Sequence, residues 1–117
     1  MTIRRLKTYA GSQGYVYQYY FVGQRLAPEG PEATEYIFDV TSDRKQTHSV
    51  SVLLPRSAVL AWSESHRRTL GDSEQYAAVK LRLFRAFDEV EDVQSEGRRL
   101  QVDSSFLEES LASLGVE

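Results

Sequence analysis

The sequence predicts an α+β fold: an antiparallel sheet of four to five strands with one long helix packed across a face. Three observations carry this. Segments of strand composition fill the first half of the chain, and segments of helical period fill the second, so strands and helices are not interleaved as in βαβ units. The run Gly14-Tyr15-Val16-Tyr17-Gln18-Tyr19-Tyr20-Phe21-Val22-Gly23 is aromatic or β-branched at every position but one between its two glycines, a composition that fits a pleated, packed surface. The stretch 73–90 carries a wide apolar stripe of helical period.

Taken in order, residues 3–9 alternate briefly around Leu6 and read as a first, edge strand. Gly11-Ser12-Gln13-Gly14 suits a hairpin connection. It is too short for a phosphate-binding loop, lacks the lysine, and leads into a strand rather than a helix. The tyrosine strand spans 15–25, and Gly23 marks a bulge or bend within it. Its odd positions are Tyr15, Tyr17, Tyr19 and Phe21; its even positions are Val16, Gln18, Tyr20 and Val22. Neither set is clearly polar. The even face, smaller and more aliphatic at its ends, is assigned to the helix side, which leaves the odd face outward.

The Pro- and Gly-bearing stretch 27–32 is a loop. Strands at 34–41 and 47–54 follow, joined by the polar turn 42–46. A five-residue loop pairs Val40 with His48, Phe38 with Val50 and Tyr36 with Val52, which sets the larger apolar residues on one face. The even-numbered face of this hairpin is therefore expected to be the core face. Pro55 ends the strand and suits a first helical turn; a helix is expected at 56–68, with Val59, Trp62 and His66 stacked at spacings of three and four. Asp72 reads as the N-cap of the long helix at 73–90, with Gln75 completing a capping box. Tyr76, Val79, Leu83, Phe84 and Phe87 form its apolar stripe. The acidic stretch Glu91 to Glu96 opposes the helix macrodipole and should leave the helix. Residues 99–102 could add a short strand, and a last helix is expected at 105–114, with Ser105 and Glu108 as a second capping box.

A length of 117 residues fits one domain, 1–117, able to bury roughly two-thirds of its unfolded surface. The chain has no cysteine, which removes disulfides, thiolate metal sites and thiol nucleophiles together. No stretch approaches the roughly 20 apolar residues of a membrane span, and the N-terminus has no signal-like apolar core. These features lead to the expectation of a cytoplasmic protein without a membrane partner. The net charge of −3 is unevenly spread. Residues 1–25 hold Arg4, Arg5, Lys7 and Arg25 and no acid, whereas residues 86–117 hold nine acids against Arg98 and Arg99. Opposite ends of this kind attract one another within a chain or between copies.

No catalytic residue, cofactor or metal site is assigned. His48 and His66 lie in no ligand spacing such as HxH or HExxH, no serine sits in a GxSxG context, and the acidic residues near 88–92 lack the frame of a calcium loop. The expected function is therefore a small non-enzymatic interaction protein of unknown partner, self-associating as a homodimer through its tyrosine-rich strand. Tyr15, Tyr17, Tyr19 and Phe21 are the candidate interface or ligand-binding residues, because tyrosine serves at interface cores. Two alternatives stand beside it. A face of those tyrosines rimmed by Arg4, Arg5, Lys7 and Arg25 would suit single-stranded nucleic acid, although the chain as a whole is acidic. A pocket between sheet and long helix would suit a small molecule. The same tyrosines also fit an ordinary core.

Overall fold

The computed structural model describes residues 6–12, 14, 16–28, 32–42, 46–89 and 99–116. Their strands are β1 (Lys7–Ala10), β2 (Val16–Leu26), β3 (Ala33–Thr41), β4 (His48–Pro55) and β5 (Arg99–Gln101). Their helices are α1 (Arg56–His66), α2 (Asp72–Glu89) and α3 (Ser104–Ser113). The strands lie side by side in chain order, β1-β2-β3-β4-β5. The first four form an antiparallel meander. β5 pairs with β4 in parallel. β5 is the one parallel member of this mostly antiparallel sheet: among the described residues the chain passes through α1 and α2 between β4 and β5, and a crossover of that length returns a strand in the same direction.

The β3–β4 register is the expected one, with Tyr36 opposite Val52, Phe38 opposite Val50 and Val40 opposite His48. All six of these side chains are buried, so the even positions do face the core. The β2–β3 register carries this rule into β2 with reversed parity. Tyr19 lies opposite Val40 and Phe21 opposite Phe38, and residues directly opposite in an antiparallel pair share a face. The odd positions of β2 therefore point into the core and the even ones away from it. This corrects the assignment of the even face to the helix side. The aliphatic ends of that face did not decide the matter; the partner strand did.

Ring contacts seat α2 against β1, β2 and, through Tyr76 on Phe38 at 6.3 Å, β3. Phe87 stacks on Tyr17 at 4.2 Å between centroids, and Phe84 stacks on Tyr9 at 4.4 Å. At the other end of the helix, Tyr76 meets Phe21 at 5.0 Å. Aromatic pairs at these separations add about 0.5–1.5 kcal/mol each beyond the area they bury. Ala58 and Trp62 of α1 and Leu107 and Leu111 of α3 join the same continuous core. One further tie holds the β1–β2 hairpin to the end of α2: Asp88 accepts from the Tyr9 hydroxyl at 2.8 Å and from the Ser12 N–H at 2.9 Å.

The bulge foreseen at Gly23 is present as a register shift between Phe21 and Gly23. Helix ends differ from expectation in detail. The long helix begins at Asp72, one residue early, and the Glu74 carboxylate accepts the Gly71 N–H at 2.9 Å. Gly71 and Glu74, rather than Asp72 and Gln75, thus hold the cap positions. In α3 the N-cap is Asp103, which accepts the Phe106 N–H at 2.7 Å, so Ser105 is not the cap. Glu108 is engaged instead by His66 Nε2 at 2.9 Å. The expected strand residues before Leu6 and the acidic stretch 91–96 lie outside the described residues. No helix among the described residues is long and apolar enough to cross a membrane.

Candidate functional site

Alternation along the strands fixes the composition of the sheet's second face. It receives Val16, Gln18, Tyr20 and, past the bulge, Arg25 from β2, with Glu35, Ile37, Asp39 and Thr41 from β3. From β4 and β5 it receives Ser49, Ser51, Leu53, Arg99 and Gln101. Val22 belongs to the bulge. Among the described residues no helix covers this face. Ile37 in the central strand stays half-buried, and Val16 and Val22 are 50% and 36% exposed. A sheet face turned only to water would alternate into polar residues; this one keeps Val16, Tyr20, Val22, Ile37 and Leu53.

Its polar groups form short cross-strand links. The Tyr20 hydroxyl donates to Asp39 Oδ2 at 2.7 Å, and the Ser49 hydroxyl reaches Asp39 Oδ1 at 3.4 Å. Arg25 Nε donates to Glu35 Oε1 at 2.7 Å, between an exposed guanidinium and a carboxyl side chain only 6% exposed. The Arg25 hydrogen bond, then that from Ser51, hold the Glu35 carboxyl below its ordinary range, with the Arg25 and Arg99 charges adding to them against the opposing effect of burial. Two arginines and two acids thus give the face local charge balance without leaving a buried carboxylate alone.

The expected site residues are distributed differently from the expectation. Tyr17 and Tyr19 are buried at 2% and 4% exposure, and Phe21 is half-buried against Tyr36, Phe38 and Tyr76. Tyr17 and Tyr19 therefore present no exposed ring. Tyr15, Arg4 and Arg5 lie outside the described residues. Lys7 stands opposite Tyr19, on the helix side, whereas Arg25 stands opposite Glu35, on the other face. The sheet therefore separates these two cations instead of gathering them into one basic rim. His48 is buried opposite Val40, and the His66 ring stacks on Trp62 at 4.2 Å. Among the described residues no three His, Asp or Glu side chains converge as metal ligands.

Sequence reasoning passed over Tyr20, Ile37, Asp39 and Glu35. A usable signal was present: the parity of β3, derived from its pairing with β4, passes to β2 once Phe21 is set opposite Phe38. The loop supports that register, since the Ala27 N–H donates to the Ala33 carbonyl at 2.9 Å and closes the β2–β3 connection tightly. Compared with protein-family models, with curated proteins and with solved structures, the chain matches none of them.

Proposed function

We propose that this chain is a non-enzymatic interaction module that pairs with a second copy of itself through the open sheet face, with β2 near the centre of the contact. One observation carries the reading: a five-stranded face retains five apolar or aromatic side chains where water alone would favour polar ones. Strands spaced about 4.8 Å apart and about seven residues long give a flat footprint on the order of 500 Å² before side-chain relief is added. That approaches the roughly 800 Å² per partner of a standard interface. The balance of Arg25 and Arg99 against Glu35 and Asp39 makes the surface complementary to itself, as a twofold contact requires. Tyrosine and arginine within an apolar patch are also the residues enriched at interfaces.

Sedimentation equilibrium tests this directly. The wild-type chain is expected to sediment with about twice its monomer mass, and Val22→Lys, which sets a charge in the apolar patch, is expected to sediment as a monomer with unchanged far-UV circular dichroism. A wild-type chain that stays monomeric at high concentration overturns the reading.

A further inference from the structure

A second feature lies at the β5 edge of the sheet, an open cavity of about 400 Å³ whose lining includes Gln101. Arg82, Arg85 and Glu89 line it from α2, and Asp103, Ser105, Phe106 and Glu109 line it from the start of α3. The spacings of three and four place the α2 residues on one stripe and set Ser105 beside Glu109 on the facing helix. The volume is that of a small-molecule site, and the walls are polar and charged where two packed helices would ordinarily meet through apolar side chains.

The charges are unevenly used, and Arg85, Glu89, Asp103 and Glu109 are exposed at the rim. Both guanidinium carbons stand over the Phe106 ring, Arg82 at 6.0 Å and Arg85 at 5.4 Å from its centroid, an arrangement that orients cations. Arg85 is neutralised by Glu89 at 3.1 Å. Arg82 spends its Nε on the neutral Gln101 carbonyl at 3.0 Å, and no ion pair among the described residues includes it. Burial first, and then the neighbouring Arg85 charge, pull the Arg82 guanidinium below its ordinary range, with Glu89 and Asp103 acting the other way. Glu109 likewise enters no described ion pair, and Asp103 uses one carboxylate oxygen on the Phe106 N–H.

We propose that this cavity binds a small zwitterion of the α-amino-acid type, its carboxylate on Arg82 and its ammonium group on Glu109 and Asp103. A simple anion would take the arginine but face two carboxylates; a simple amine would face the two guanidiniums. A ligand carrying both charges finds groups of each opposite sign in the lining, and the Arg82 guanidinium, which enters no described ion pair, can take a carboxylate through two parallel hydrogen bonds.

The test is titration of the 117-residue chain with the proteinogenic L-amino acids, with acetate and ethylamine as half-ligands, followed by calorimetry and by amide chemical shifts. At least one amino acid is expected to bind saturably, at least about tenfold more tightly than either half-ligand, and Arg82→Gln or Glu109→Gln is expected to weaken it about tenfold or more. Val22→Lys is expected to bind as the wild type does, which separates this site from the sheet face. The proposal is overturned if no amino acid binds at about 10 mM, a concentration that would reveal even millimolar affinity. Acetate binding as tightly as the amino acids, or undiminished binding in both folded variants, overturns it equally.

Discussion

Tyr20 donates its hydroxyl to the Asp39 carboxylate at 2.7 Å on the sheet face that no described helix covers, one residue along the chain from a tyrosine sealed in the core. Tyr19, its neighbour, meets Phe84 edge-on at 5.6 Å. Successive side chains of a strand point to opposite faces, so a single run of tyrosines serves two different environments.

The first prediction tests that division. Tyr17→Ala empties a fully packed position against Phe87 and is expected to cost about 3–5 kcal/mol of stability. Tyr20→Phe removes one partly exposed hydrogen bond and is expected to cost about 1 kcal/mol. Urea unfolding monitored by circular dichroism measures both; a larger loss at Tyr20 would reverse the assignment of the faces.

The β3–β4 hairpin was legible in the sequence because only one register sets Phe38, Val40, Val50 and Val52 together, whereas a one-residue slip sets the β3 residues opposite Thr47, Ser49 and Ser51. The tyrosine strand was not legible by itself. Val16, Tyr20 and Val22 are apolar like Tyr17 and Tyr19, so period two carries no sign until the strand is paired. The long helix was plain from its aromatic stripe, but its cap was not, since the Gly71 backbone and Glu74 serve where Asp72 was expected. The cavity by β5 could not be foreseen. It depends on α3 meeting α2 at Arg82 and Arg85, a contact between segments that no local pattern links.

The second prediction concerns acid. Glu35 is held below its ordinary range by Arg25 first and Ser51 next. Its folded value therefore lies under its unfolded one, and the unfolded chain binds the proton more readily. The resulting stability is present above about pH 4.5, the ordinary glutamate range, and is lost as pH falls through the depressed folded value. Chemical unfolding across that window is expected to show a steeper loss for the wild type than for Glu35→Gln; equal slopes would contradict the pairing.

The third prediction concerns alkali. Burial first of all raises Tyr9, Tyr19, Tyr36 and Tyr76 above the ordinary phenol range. The folded state thus favours the neutral hydroxyls, and stability is complete below about pH 10, where unfolded tyrosine begins to ionise. It falls as pH rises from there through the raised folded values. Tyrosinate absorbance from these four rings is expected to appear together with loss of near-ultraviolet circular dichroism. Ionisation of all of them in a chain that stays folded would contradict their burial.

The fourth prediction uses two helix ends. Arg67 closes α1 with φ at 54°, in the left-handed region where a side chain is strained and glycine is not. Arg67→Gly is expected to stabilise by a few tenths of a kcal/mol up to about 1. Asp103→Ala removes the side-chain cap of α3 and is expected to cost about 0.5–2 kcal/mol. Thermal unfolding reads both signs, and a destabilised Arg67→Gly would show that the terminus is held in another way.

The open sheet face is tested most directly by intermolecular distance. The natural chain contains no cysteine, so a single introduced thiol accepts a spin label at one defined place. Labels at Ser49→Cys on the open face and at Ser57→Cys on α1 would report the geometry of the pair. Two sheets packed face to face stand roughly 10 Å apart, so the Ser49→Cys labels are expected to show strong dipolar coupling, shorter in range than those at Ser57→Cys. Absence of intermolecular coupling at Ser49→Cys, or a shorter distance at Ser57→Cys, would contradict association through this face.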